Sequence, residues 1–228
     1  MVFGFELTIK IICIIIRYTS YKSQKMKTLF SLILLLIGFT SLRAQTWSKA
    51  QIAKANTAKD IAYLSTVEKE CIMYLNLCRL YPQDFLKFEL TNYFGNEQYG
   101  DYLKDSAYRK SLISKLAAMS PIHQLTFDED LYKNAACFAK EQGIAGTIGH
   151  TRIKCSKEVY TAECCSYGMN TAKDIVLQLL IDDRVTSLGH RKICLDNKYS
   201  KIGVSVSSHK EWGATKIEVH NTFFFDCS

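Results

Sequence analysis

The 228-residue chain carries only two prolines, eleven glycines and two tryptophans. No Pro- or Gly-rich linker and no internal repeat can be found in it, which excludes a tethered string of modules and a solenoid. No Cys-x-x-Cys pair occurs, which argues against a zinc finger or ribbon and leaves disulfides as the first reading of the cysteines. No apolar run reaches the roughly 20 residues that span a bilayer comfortably, and no cysteine stands just after an apolar run to accept a lipid anchor.

A one-signed charge is also missing from the part of the chain expected to fold. The segment Met26-Lys27-Thr28 followed by the apolar run 29–39 has the basic start and short hydrophobic stretch of a secretion signal, with small residues at Thr40, Ser41 and Ala44. Cleavage between Ala44 and Gln45 leaves 184 residues in an extracellular or periplasmic compartment, with no transmembrane segment expected in the mature chain. Residues 1–25 read as an upstream extension ahead of a native start at Met26; an N-terminal membrane anchor is the alternative. Residues 1–44 hold six of the 29 basic and one of the 22 acidic residues, so the net charge falls from +7 to +2 on cleavage. A near-neutral domain gives no electrostatic case for nucleic acid or an anionic membrane.

Eight of the nine cysteines remain: Cys71, Cys78, Cys137, Cys155, Cys164, Cys165, Cys194 and Cys227. An even number in an exported chain suggests disulfides. Cys71 and Cys78 cannot pair with each other, because two helical turns separate them by roughly 10 Å.

After a lead-in over 45–64, the sequence predicts one domain over 65–228. Ser65-Thr66-Val67-Glu68 is a capping box, and Val67, Cys71, Leu75 and Cys78 share a helical face behind it. Tyr81-Pro82 stops that helix and opens another, with Phe85 and Phe88 inward, before a turn-prone stretch over 92–100. A third helix runs from about Ser106 to Met119. Thr126-Phe127-Asp128 opens a fourth, carrying Leu131, Ala135, Phe138 and Ala139, with Gly143 as its stop. Residues 143–170 are aperiodic apart from a short β-like run at Val159–Cys165. Asn170 or Thr171 then caps a helix with the stripe Ala172, Ile175, Val176, Leu179 and Leu180. Two alternating runs, one over Ile202, Val204 and Val206 and one from Ile217 and Val219 to Phe225, predict antiparallel strands. Helices first and strands last predict an α+β arrangement.

Two histidines preceded by glycine stand out, His150 in Gly149-His150 and His190 in Gly189-His190-Arg191. By helical phase Asp183 lies about 20° from the centre of the preceding stripe and Asp182 about 120° from it. Asp183 therefore points inward, either as a salt-bridge partner of Arg184 or Arg191 or as a cleft residue. Glu163 adds a second carboxylate. Two imidazoles and two carboxylates can bind a divalent metal or shuttle a proton. His123, His209 and His220 are weaker candidates, read as a loop residue, a hairpin-turn residue and the polar side of a strand. Cys164-Cys165 offers a nucleophile near the histidines, with a disulfide as the competing fate.

Asn76 and Arg79, Leu125, Leu131 through Ala139, Gly149-His150, Glu163 before Ser166-Tyr167-Gly168, Ser187 to Arg191, and Ile202-Gly203-Val204 occur in an order that resembles the CAP superfamily. This family comprises cysteine-rich secretory proteins, antigen 5 and plant pathogenesis-related 1 proteins; the chain looks most like its bacterial branch, over roughly residues 65–226. The resemblance implies a three-layer α-β-α sandwich with a central antiparallel sheet and a cleft lined by His150, Glu163, Asp183 and His190. It also implies a divalent cation such as zinc on His150 and His190. Two departures stand out: the family's Gly-Glu-Asn is Ala162-Glu163-Cys164 here, and the second acid is Asp. The expected function is binding of an extracellular ligand, whether a lipid, a glycan or a protein. The alternative is a secreted hydrolase or protease using the His/acid cleft or a cysteine nucleophile.

Overall fold

Why the first helices form can be read from their caps. The computed structural model describes residues 46–156 and 161–210, together with the backbone of 220–226. The expected signal segment 26–44, residues 1–25, Val159, Ile217, Val219 and Cys227 lie outside the described residues. Helix α1 (Lys49–Ala55) starts from a reciprocal capping box between Ser48 and Gln51. The lead-in thus carries a helix that the sequence reading did not mark, and it is anchored: Ala55 and Ala58 are fully buried. The Trp47 indole donates to Glu89 Oε1 at 2.7 Å and meets the Phe88 ring edge-on. Helix α2 (Thr66–Leu80) has the Ser65/Glu68 capping box that its spacing predicts. Pro82 opens α3 (Pro82–Phe85), which runs into a π-turn at Leu86–Leu90. Ser106 caps α4 (Ala107–Ala118).

Two details depart from the sequence reading. Thr126–Phe127 forms a short strand, β1, and Asp128 alone caps the helix behind it, α5 (Glu129–Ala145). Gly143 does not stop α5; the helix runs on until Gly146 takes the left-handed conformation at φ 71°. Gly143 serves close approach instead: a Cβ there would sit 2.0 Å from the Ser208 carbonyl oxygen. Its own carbonyl accepts from the Lys210 N–H at 2.8 Å.

The remaining elements are β2 (Ala162–Tyr167), α6 (Ala172–Ile181, capped by Thr171), α7 (Gly189–Cys194), β3 (Lys201–Ser207) and β4 (His220–Asp226). The sheet order is β1-β3-β4-β2. The three longer strands are antiparallel as expected, with Ile202 opposite Phe225 and Glu163 opposite Phe224 in register. The edge strand β1 departs from that expectation by pairing parallel to β3. The chain is therefore α+β, mostly helical, around a small mixed sheet.

Alternation along the strands sends neighbouring residues to different cores. Ile202, Val204 and Cys164 join the main core with α2 and α6. Cys165 joins a smaller one with Leu131, Ala135, Phe138 and Cys155 beneath α5. Gly203 lets α5 lie directly on β3, since a Cβ there would be 2.2 Å from the Tyr132 backbone nitrogen. A disulfide joins Cys137 of α5 to Cys155.

Three buried arginines hold the helices together by donating to backbone carbonyls, several of them where a helix ends. Arg79 donates to the carbonyls of His123, Cys194, Asp196 and Tyr199 at 2.8–3.0 Å. Arg109 donates to Leu90, Thr91 and Tyr93 where the π-turn ends. Arg191 donates to Leu180 and Ile181 at the end of α6 and to Tyr108 of α4. Burial lowers the Arg79 guanidinium to about 10, so it remains charged at neutral pH. Asn76 is equally well used: its amide donates to the Ala55 and Leu125 carbonyls and its oxygen accepts from the Leu125 N–H at 2.7 Å.

Candidate functional site

His150 is held from several sides. Gly149 takes φ 92°, a conformation open to glycine at little cost, and nothing crowds its missing Cβ. The Gly149 N–H donates to the Tyr167 hydroxyl at 2.9 Å, and the Gly149 carbonyl accepts from Gln142 Nε2 at 2.7 Å. The Tyr167 hydroxyl in turn donates to Gln142 Oε1 at 3.0 Å. His209, read as a hairpin-turn residue, is buried, and its Nε2 lies 2.9 Å from the carbonyl oxygen of Thr147 on the loop of His150.

The His150 imidazole meets Glu163 of β2, with Nδ1 2.5 Å from Oε1. The second oxygen of Glu163 accepts from the Arg152 guanidinium. That guanidinium is buried and stacks on the Phe138 ring with 3.9 Å to the centroid. Glu163 is therefore a charged, buried acceptor compensated by an arginine that the sequence reading passed over. Cys165 Sγ lies 4.0 Å from His150 Nδ1 and 3.7 Å from Glu163 Oε1. These three side chains offer ligand atoms within 4.8 Å of one another, an N, O, S donor set that can hold a metal ion.

The second histidine has its own acid, and it is Asp182. His190 Nδ1 lies 2.7 Å from Asp182 Oδ1, while the other carboxylate oxygen accepts from the Arg191 N–H at 3.3 Å. Helical phase pointed to Asp183 because it extended the α6 stripe by two residues too many. The helix ends at Ile181, and Asp182 is its left-handed C-cap at φ 56°. That reversal turns Asp182 inward, 2 % exposed, and swings Asp183 to the Ser106 hydroxyl at 2.6 Å. Arg184 and Leu188 also take positive φ, so three non-glycine residues in a seven-residue span are held in a sparsely populated region beside the site.

His150, Asp182, Asp183 and His190 line one cavity of about 580 Å³. Its remaining walls include Ile148, Leu179, Ile181 and Val185, with Tyr102 at one side. The structure thus brings both predicted histidines to one cleft, with Glu163 behind the first and Asp182 behind the second. Asp183 stays on the wall without touching an imidazole through any described bond. Gln142, Tyr167, Arg152 and Asp182 take part in this arrangement and were not among the expected site residues. One of them had a signal, since Gln142 continues the spacing of Leu131, Ala135 and Phe138 on the inner face of α5.

Residues 88–227 match the model of the CAP family, the cysteine-rich secretory protein family, and the chain belongs to it. The matched segment contains every cleft residue named above, while α2 with Asn76 and Arg79 precedes it. No curated protein sequence matches the chain. Among solved structures, the chain is similar to an outer surface protein from Borrelia burgdorferi at 20% identity and a TM-score of 0.37; the likeness covers 53% of this chain and 90% of that one.

Proposed function

We propose that this chain is an exported CAP-family binding domain whose cleft takes an extracellular ligand with an apolar body, beside a weakly held divalent cation. The observation that carries this reading is the convergence of two carboxylate-oriented imidazoles on a single cavity. A carboxylate on Nδ1 fixes the ring and its tautomer, as outer-shell partners do for metal-binding histidines, and leaves Nε2 as the nitrogen for a ligand. The aliphatic wall favours a lipid-like molecule over a glycan or a partner protein. Helices on both sides of the sheet, α5 against β3 and β4 and α2, α6 and α7 on the other elements, support the three-layer α-β-α arrangement. The Cys137–Cys155 disulfide suits an oxidising compartment and so supports export.

Zinc takes imidazole nitrogen as a ligand, so the two Nε2 atoms left free by the carboxylates suit it. Arg152 sets a limit on affinity, because its positive charge already neutralises Glu163 and repels a second cation nearby. His150 and His190 are the residues that would hold the ion, which would supply Lewis acidity or a bridge to an anionic ligand group. Hydrolysis through a thiol has less support. Cys164 is fully buried, and burial pushes its thiol well up. Cys165 approaches the same imidazole nitrogen that Glu163 engages, so the ring cannot relay a proton from one to the other.

Zinc titration of the full chain by calorimetry, with His150→Ala and His190→Ala alongside, tests the cation. Stoichiometric uptake lost in both variants supports the reading, and absence of uptake by the parent protein removes the cation from it. Displacement of a fluorescent fatty acid tests the ligand pocket, and loss of that binding on Leu179→Arg is the expected outcome.

A further inference from the structure

A second cluster of reactive side chains lies behind the cleft. Cys164 on β2 and Cys194 on α7 are both buried in the main core, with exposures of 0 % and 1 %. Cys164 Sγ lies 3.9 Å from the His190 carbonyl oxygen. In helical geometry that carbonyl belongs to the turn closed by residue 194, so the Cys164 sulfur sits against the turn that carries Cys194. Both are free thiols in this structure, and Cys194 adds to burial in pushing the Cys164 thiol up. Cys78 of α2 is a third buried thiol close to Cys194. The three do not form a group whose ligand atoms all approach one another within metal-binding range, whereas the His150 cluster does. A pairwise bond therefore suits this cluster better than a metal ion.

We infer that Cys164 and Cys194 form a second disulfide, which ties the strand of Glu163 to the helix of His190 and so locks the two halves of the cleft together. The inference rests on the export reading, since it needs a disulfide oxidant. The chemistry is thiol–disulfide exchange with a small disulfide such as oxidised glutathione. One cysteine thiolate attacks that disulfide, forming a mixed disulfide and releasing one glutathione thiol. The second cysteine displaces the other glutathione, so the two cysteines lose two electrons and two protons and the glutathione disulfide becomes two thiols. Both sulfurs are sealed from solvent in the finished fold, and buried thiols react poorly. The bond accordingly forms while α7 is still docking onto β2.

A rival pairing is also within the fold. Arg79 binds the Cys194 carbonyl at 2.8 Å from the residue next to Cys78, which fixes the end of α7 over α2. Cys78 and Cys194 thus compete as a pair, and the test must separate the two partners.

The full chain, reduced and unfolded, is refolded in a glutathione redox buffer, alkylated and mapped by mass spectrometry. The expected result is a peptide linking Cys164 to Cys194 beside one linking Cys137 to Cys155, with four fewer alkylated thiols than in the reduced protein and the Cys164 link lost in Cys194→Ser. A linked Cys137–Cys155 with Cys164 and Cys194 both alkylated overturns the inference and leaves the export reading standing. A Cys78–Cys194 link overturns it as well. Failure of both bonds to form overturns the inference together with the oxidising-compartment reading. Because a serine variant can misfold, Cys164→Ala/Cys194→Ala serves as a second variant. Its cavity should become susceptible to opening, seen as at least about tenfold faster amide exchange in α7 than in the oxidised parent protein, and unchanged exchange would count against the tie.

Discussion

Replacing Arg79 by methionine keeps an apolar stem and deletes a guanidinium that serves four carbonyls at 2.8–3.0 Å. A hydrogen bond from a charged donor contributes about 1.5–3 kcal/mol net, so the gross loss is roughly 6–12 kcal/mol. The charge also costs several kcal/mol to bury, and that cost disappears with it. The difference is a net destabilisation of about 3–5 kcal/mol, the range seen when one partner of a buried polar network is removed. At about 2–4 °C per kcal/mol for a domain of this size, the midpoint should fall by roughly 6–20 °C. Calorimetry or urea titration followed by circular dichroism measures it. Arg79→Lys should lie between the two, because one ammonium cannot reach from His123 to Tyr199 as a planar fork does. A methionine variant within about 1 kcal/mol of the parent would refute the reasoning, since it would mean that water serves those carbonyls equally well.

Asp182→Asn should weaken zinc binding about 10–100-fold, as loss of an outer-shell carboxylate does, while Asp183→Asn should leave it within about twofold; calorimetry on the two variants decides between the acids. Gly203→Ala should destabilise the fold by more than about 3 kcal/mol, because its Cβ would lie 2.2 Å from a backbone nitrogen of α5 that can move only with the helix. Glu141 accepts from three consecutive N–H groups, those of Ile153, Lys154 and Cys155. Partial burial acts to raise its carboxyl, but those amides with Arg152 outweigh it and hold the group below its ordinary 4.5. The folded value is depressed, so the stabilisation is complete above about pH 4.5 and is lost as pH falls through the lowered folded value. Denaturation curves of Glu141→Gln and the parent should therefore differ at neutral pH and converge in acid.

Much of the framework is written locally. Ser65 with Glu68, Pro82 and the stripe of α6 specify their elements through contacts a few residues away, and these form as the spacing predicts. The histidines were legible because each stands in a short motif of the family. What was not legible depended on where a helix stops or on partners far along the chain. Asp182 and Asp183 differ by one residue, and which of them meets His190 is decided by a left-handed C-cap that phase arithmetic does not contain. Arg152 reads as a loop arginine until the Phe138 ring and Glu163 are placed around it. Gly143 reads as a helix stop until Ser208 arrives from beyond β3 to occupy its Cβ position.

The strand order β1-β3-β4-β2 has a bearing on the sequence of events in folding. Among the described strands β2 has one neighbour, β4, and it joins the rest of the sheet through that strand alone. The segment that carries Glu163 therefore waits for residues some sixty positions later before it is registered in place. A nascent or emerging chain can build α2, α5 and α6 from local contacts, yet its two imidazoles cannot share a finished cleft until 220–226 slides between β2 and β3. The cleft is thus completed in one late step, and a polypeptide halted ahead of that strand would be folded in part and would lack it.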